Sequence, residues 1–162
     1  MVRILSPETR TFEEEVTADY NRVLRTNREE IRKEKERFDQ KYGLTYPQDY
    51  VEFDEETVKL QEDRFFVSTI PPTFKRSPRD NMFSVVRNPE GLYLLFQNPV
   101  YASSGSLEGV IPAKMIGEYG PSEEPNAKLY QVTEITHPAL LEELADGRLK
   151  TIRKAKGKMK FP

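Results

Sequence analysis

Between Met82 and Gln97 two apolar runs flank the tetrad Asn88-Pro89-Glu90-Gly91. Asn at the first position, Pro at the second and Gly at the fourth suit a type I turn, because Pro presets φ and Gly accepts the left-handed conformation that follows. The stretch predicts a β-hairpin with a three-residue loop closed by a bulge at Gly91, which pairs Val86 with Leu94 and Ser84 with Phe96. One face would carry Met82, Val86, Leu92, Leu94 and Phe96, the other Phe83, Val85, Tyr93 and Leu95. Both faces are apolar, so the hairpin is expected to lie centrally in a sheet and to be covered on both sides.

A second pattern has helical spacing. Thr11 followed three residues later by Glu14 reads as a capping box, Phe12, Val16, Tyr20, Leu24, Ile31, Phe38 and Tyr42 form an apolar series, and Gly43 supplies a stop. These residues predict one helix from Phe12 to Tyr42, about 45 Å long at 1.5 Å per residue. Its stripe is narrow and thins between Leu24 and Phe38, where Glu29 with Lys33 and Arg32 with Glu36 can pair across a turn. Such a helix either rests along its own sheet or contacts a partner or a second copy through Leu24, Ile31 and Phe38. Arg22, Arg25, Arg28 and Arg32 fall on another side, as a solvated face or a row that could meet phosphates.

The remaining segments read more weakly. Tyr46-Pro47 is a turn or an extended step. Val58 to Gln61 and Phe65 to Ile70 suggest two strands joined at Glu62-Asp63, with a short helix after Asp54 as the alternative. Lys75 to Arg79 forms a basic loop, Ser103 to Ser106 a flexible one, and Gly120 to Asn126 an exposed one. Pro112 would open a short helix, Ala113 to Ile116, ended by Gly117. Leu129 to Ile135 reads as a strand. His137-Pro138 would open a helix with Leu140, Leu141 and Leu144 inward and Asp146-Gly147 as its stop. Leu149 and Ile152 fit a last short strand. The reading is an α+β fold: a long N-terminal helix, a mainly antiparallel sheet centred on the 82–97 hairpin, short helices and a basic C-terminal tail. It divides into an N-terminal helical arm (1–43), an α+β domain (44–153) and the tail (154–162).

Composition adds a surface-heavy balance, with 36% hydrophobic against 32% charged residues over 162 positions. A core that lean suggests that part of the chain projects or is buried only against a partner. No apolar run approaches the roughly 18 residues of a membrane span, and the first residues lack a signal-peptide pattern. The expectation is a soluble, cytoplasmic protein, in the host cytoplasm if viral, with no membrane contact. The absence of cysteine removes disulfides, thiolate nucleophiles and zinc–thiolate sites.

Net charge is −2, yet Arg148 to Pro162 carries seven basic residues and no acidic one. Lys154, Lys156, Lys158 and Lys160 alternate with Ala155, Gly157, Met159 and Phe161. In an extended tail the four lysines share one side at steps of about 6.6 Å. They either dock on an acidic partner, with Met159 and Phe161 as apolar anchors, guard an edge strand, or form a disordered solubilising end.

The inventory for catalysis is poor. His137 is the only histidine and sits where a capping role is expected. Asp49, Glu52, Asp54, Glu55 and Glu56 lack the glycine and ligand order of a calcium loop. Ser103 to Gly109 has neither the Gly-Lys-Ser/Thr of a phosphate-binding loop nor a nucleophile elbow. No catalytic, cofactor or metal residue is assigned, and no cofactor is expected. The sequence points to a non-enzymatic binding or assembly protein acting by contact within a larger complex: a ribonucleoprotein, a virion or a host machine that it inhibits. A protein partner is expected, met through Leu24, Ile31, Phe38, the four helix arginines, the four tail lysines and Phe161. Nucleic-acid binding through the tail and the basic loop is the alternative, a small carboxylate-dependent hydrolase or transferase the second alternative, and self-association through the N-terminal helix a further option.

Overall fold

A computed structural model describes residues 4–45, 48–57, 71–77 and 82–161. Six strands close an antiparallel barrel in the order β1-β2-β8-β7-β4-β3. They are β1 (Tyr50–Phe53), β2 (Thr73–Arg76), β3 (Phe83–Arg87), β4 (Tyr93–Gln97), β7 (Ala139–Glu143) and β8 (Leu149–Arg153). A second, three-stranded sheet has the order β5-β9-β6, with β5 (Gly117–Pro121) parallel to β9 (Ala155–Met159) and β6 (Val132–His137) antiparallel to it. Helices α1 (Pro7–Leu24), α2 (Ile31–Lys41), α3 (Pro99–Ala102) and α4 (Leu107–Ile116) complete the α+β fold.

The central hairpin is β3–β4, with Val86 opposite Leu94 and Ser84 opposite Phe96. Gly91 has φ +81°, its N–H donates to the Asn88 carbonyl, and Asn88 Oδ1 accepts from the N–H groups of Glu90 and Leu92 at 2.9 Å each. Phe83, Val85, Tyr93 and Leu95 point into the barrel with Val51, Phe74, Leu141 and Leu149. Val86, Leu92, Leu94 and Phe96 face outward under the helices, where Val16, Tyr20, Leu24, Ile31 and Phe38 form the second core. Met82 departs from its expected face and packs against the barrel core.

The single helix expected over Phe12 to Tyr42 is two antiparallel helices. Ser6 caps α1, its Oγ accepting from Thr9 N–H at 3.2 Å with Pro7 as the first residue, and Thr11 lies inside the helix donating to the Pro7 carbonyl. The break falls at Thr26-Asn27, where side chains compete with the helical backbone. Thr26 Oγ1 donates to the Arg22 carbonyl at 3.1 Å, and Asn27 Oδ1 accepts from Glu30 N–H at 3.1 Å. The turn brings Phe38 against Tyr20 and Phe96, at ring-centroid distances of 6.1 and 5.7 Å, and Tyr42 against Phe12 at 6.3 Å. The narrow stripe is therefore divided between two helices sharing one core. α2 ends in a Schellman arrangement: the N–H groups of Gly43 (φ +65°) and Leu44 donate to the carbonyls of Gln40 and Asp39.

Four further expectations are corrected. The helix after His137-Pro138 is strand β7. Ala-Leu-Leu-Glu-Glu favours helix by intrinsic propensity, but pairing with β4 and β8 buries Leu140 in one core and Leu141 in the other. Asp146-Gly147 closes the β7–β8 hairpin, with Gly147 at φ +88° donating to the Leu144 carbonyl. The helix placed at Ala113 to Ile116 starts at Leu107 and holds Pro112 inside, so the bond lost is the one to the Glu108 carbonyl, on an exposed side of the helix. Lys75 and Arg76 belong to β2 rather than to a loop, and Gly120-Pro121 ends β5 rather than starting one.

Tyr50 to Phe53 is a strand that the acidic segment gave no sign of. Beyond it residues 55–57 are helical, with Asp54 Oδ1 accepting from Thr57 N–H at 2.9 Å. The Tyr46-Pro47 turn, the strands expected over Val58 to Gln61 and Phe65 to Ile70 with their turn at Glu62-Asp63, and the Pro78-Arg79 end of the basic loop lie outside the described residues.

Candidate interaction surface

The lysine-bearing C-terminus forms β9, the middle strand of the second sheet, and so is neither an edge strand nor a free end. Strand alternation assigns the two sides. Ala155 and Met159 are fully buried, while Lys156 and Lys158 are exposed and Lys154 and Lys160 partly so. The lysines thus form one ridge on the solvent face. Glycines permit the close packing beneath it: a Cβ on Gly157 would lie 2.3 Å from the Glu134 carbonyl oxygen, and one on Gly117 2.6 Å from that of Ala155.

Beside the ridge β5 contributes Glu118, opposite Lys156, and β6 contributes Glu134, opposite Lys158. Lys158 Nζ lies 3.7 Å from Glu134 and Lys154 Nζ 4.0 Å from Glu118. Among the described residues Lys156 and Lys160 have no ion pair. These exposed contacts contribute little to stability, which leaves the ridge positive and adaptable.

α1 holds the sheet in place. Asn21, buried and facing the core, donates through its amide nitrogen to the Ile135 carbonyl at 2.8 Å and accepts from Ile135 N–H at 2.8 Å. The side chain acts as one more strand residue at the outer edge of β6, beside its register shift at Ile135–His137. Arg153 adds a second tie, donating to the Pro138 carbonyl at 2.6 Å and to the carboxylate of Glu13 on α1. A groove of about 360 Å³ runs here between α1 and β6, lined by Arg10, Glu13, Glu14, His137 and Arg153 among others. His137 is exposed at the end of β6, opposite Lys156, and has no helix to cap.

The other candidate residues are dispersed. Leu24, Ile31 and Phe38 are 4, 3 and 5% exposed inside the chain's own core, where they present nothing to a second molecule in this fold. Arg22, Arg25, Arg28 and Arg32 are exposed, but the break between the helices places Arg28 in the turn and Arg32 on α2, which ends their common row. Arg22 lies 3.0 Å from Asp19. Met159, expected as an anchor, is buried, whereas Phe161 is 36% exposed with Lys114 Nζ 5.5 Å from its ring centroid.

The perturbed ionisable groups join elements. Asp19 accepts from Lys41 Nζ at 2.7 Å and from the Tyr42 hydroxyl, tying α1 to α2. Burial alone would raise its pKa, but these bonds and the Lys41 and Arg22 charges hold it below the ordinary value, while burial and the Asp19 contact push Tyr42 well up. Burial lowers the Lys35 pKa against the opposing pull of Asp39, which also accepts from Tyr50 and so ties α2 to β1. Asp54 binds Thr73, Thr57 and Arg148 where the barrel closes; against the cost of burial those bonds lower its pKa. Glu52 and Glu55 of the same acidic segment lie against Lys75. Among the described residues no three His, Cys, Asp or Glu side chains form a metal-holding group, and no helix is long and apolar enough to cross a membrane.

Asn21 and Arg153 were missed by the sequence reading. An asparagine on the inward side of an amphipathic helix is the one signal that could have flagged Asn21. No family model, curated protein sequence or solved structure matches the chain. The fold is a small closed β-barrel with a helical cover and an attached three-stranded sheet.

Proposed function

We propose that the protein is a non-enzymatic binding or assembly protein of the cytoplasm, acting by contact within a larger complex through the lysine ridge of β9. The carrying observation is Lys156 and Lys158 on β9, with Lys154 and Lys160 at its two ends, over a strand face buried at Ala155 and Met159. Backing of this kind fixes the ridge at steps of about 6.6 Å, so an acidic partner meets a preformed array and no tail has to be ordered first. The partner is an acidic polypeptide. Nucleic acid is the weaker reading because Glu118 and Glu134 flank the row and interrupt the continuous positive face that a phosphate backbone would meet.

The experiment is affinity purification from the native source with nuclease treatment, comparing the natural chain with a variant carrying Gln at all four lysines. A protein that co-elutes after digestion with the natural chain, and is lost with the variant, supports the reading. Co-elution abolished by nuclease supports the nucleic-acid alternative, and a partner held equally by both chains removes the ridge from the account.

A further inference from the structure

The lysine ridge ends beside a patch of exposed apolar side chains. On α4, Leu107 and Ile111 stand one turn apart and are 61 and 46% exposed, although the opposite side of the helix is buried through Val110 and Ala113. The segment before β6 forms the facing wall, with Leu129 at 49% exposure, and Gly105 packs its Cα side against Lys128 and the Leu129 carbonyl, which sets this wall beside the start of α4. Tyr130 N–H donates to the Lys160 carbonyl at 2.7 Å, joining that wall to the end of the ridge. Phe161 follows, under Lys114 of α4. Contacts between their segments thus bring Leu107, Ile111, Leu129 and Phe161 to one region of the surface, together with Lys114, Lys128 and Lys160. The three lysines outnumber exposed Glu108 of the same helix, and exposed large apolar side chains bordered by a net positive charge have the composition of an interaction site.

We infer that this patch forms a cleft that docks a peptide segment of the partner carrying large apolar side chains next to its acidic run, the carboxylates lying along β9 and the apolar residues between α4 and Leu129. Charge complementarity selects this occupant, since the neighbouring lysines favour a carboxylate-bearing segment. The inference rests on the proposed function, and it separates into an acidic part read by β9 and an apolar part read by the cleft.

The test is selection from a random 12-residue peptide library on the full chain, followed by fluorescence titration of an enriched peptide. Enriched peptides should carry Asp or Glu beside at least two large apolar residues. Leu107→Ser with Ile111→Ser, both exposed and so compatible with the fold, should weaken binding at least tenfold and erase the apolar preference while the acidic preference persists; Leu129→Ser alone should give a smaller loss. Lys156→Gln with Lys158→Gln should erase the acidic preference. If only that lysine result fails, the ridge is wrong and the cleft stands. No enrichment, enriched peptides without apolar residues, or binding indifferent to the Leu107/Ile111 change would overturn the inference. So would a dimer in sedimentation, or pelleting with vesicles containing phosphatidylserine, that the same double variant abolishes, because the cleft would then belong to a second copy or to a lipid surface.

Discussion

Asn21→Leu removes the clamp that fastens β6, and with it the lysine-bearing sheet, to α1. Leucine keeps the branching at Cγ and the helical geometry, so the change removes chiefly two hydrogen bonds of 2.8 Å each to Ile135, a residue only 7% exposed. A neutral hydrogen bond contributes about 1 kcal/mol net, and a buried backbone group left unpaired costs about 1 to 3 kcal/mol. Together these give a loss of about 2 to 4 kcal/mol, or a fall in Tm of roughly 5 to 15 °C for a chain of this size. Urea denaturation should show a lower midpoint with an unchanged slope. Asn21→Asp sharpens the test. A protonated Asp can reproduce both bonds, whereas the carboxylate loses the donor and faces a carbonyl, so its folded pKa lies above the unfolded value. Its stability relative to the natural chain is then fully present below the unfolded pKa and is lost as pH rises through the folded pKa. A cost under about 0.5 kcal/mol for Asn21→Leu, or no pH dependence in the Asp variant's deficit, would refute the clamp.

Gly91→Val should cost about 1 to 2 kcal/mol, since a β-branched residue is strained at φ +81°, and equal melting temperatures would reject the turn assignment. Ile31→Glu places a carboxylate in the core and should destabilise by roughly 3 kcal/mol or more by urea titration; a stable variant with altered mass in solution would instead turn Ile31 towards another chain. Asp54 has a folded pKa below its ordinary 3.8, so its contribution is present above that value and is lost as pH falls through the folded pKa. The stability gap between the natural chain and Asp54→Asn should therefore narrow below about pH 4, and a gap constant from pH 7 to pH 3 would contradict the assignment.

Features written in local chemistry were the legible ones. Asn88 to Gly91 specifies its own turn and fixes the register of β3 on β4 without help from the rest of the chain. Gly43 marks the end of α2 and Gly147 a reversal of the chain for the same reason. Leu140-Leu141 was misread because its helical preference is local while the pairing that overrides it comes from β4 and β8. The helix break was hidden because Thr26 and Asn27 fit an exposed helix face as well as a turn. Gly117 to Pro121 has no strand pattern of its own; β9 supplies its partner, and Gly117 and Gly157 allow the approach. In the tail the alternation was visible, yet whether it meant an edge, a free end or a central strand depended on β5 and β6, which contact it from earlier in the chain. Leu24, Ile31 and Phe38 met the same ambiguity, since a stripe facing its own core and one facing a partner have the same spacing.

The lysine ridge is tested most directly by titrating the full chain and its four-lysine glutamine variant with a fluorescein-labelled polyglutamate peptide from 50 to about 300 mM salt, a range over which the Debye length falls from above to below about 10 Å. Binding by the natural chain should weaken steeply with salt. The variant, with an unchanged circular dichroism spectrum, should bind at least tenfold more weakly with a flattened dependence, because the exposed charges facing the peptide are gone. Equal affinity and equal salt dependence for the two folded chains would contradict the account.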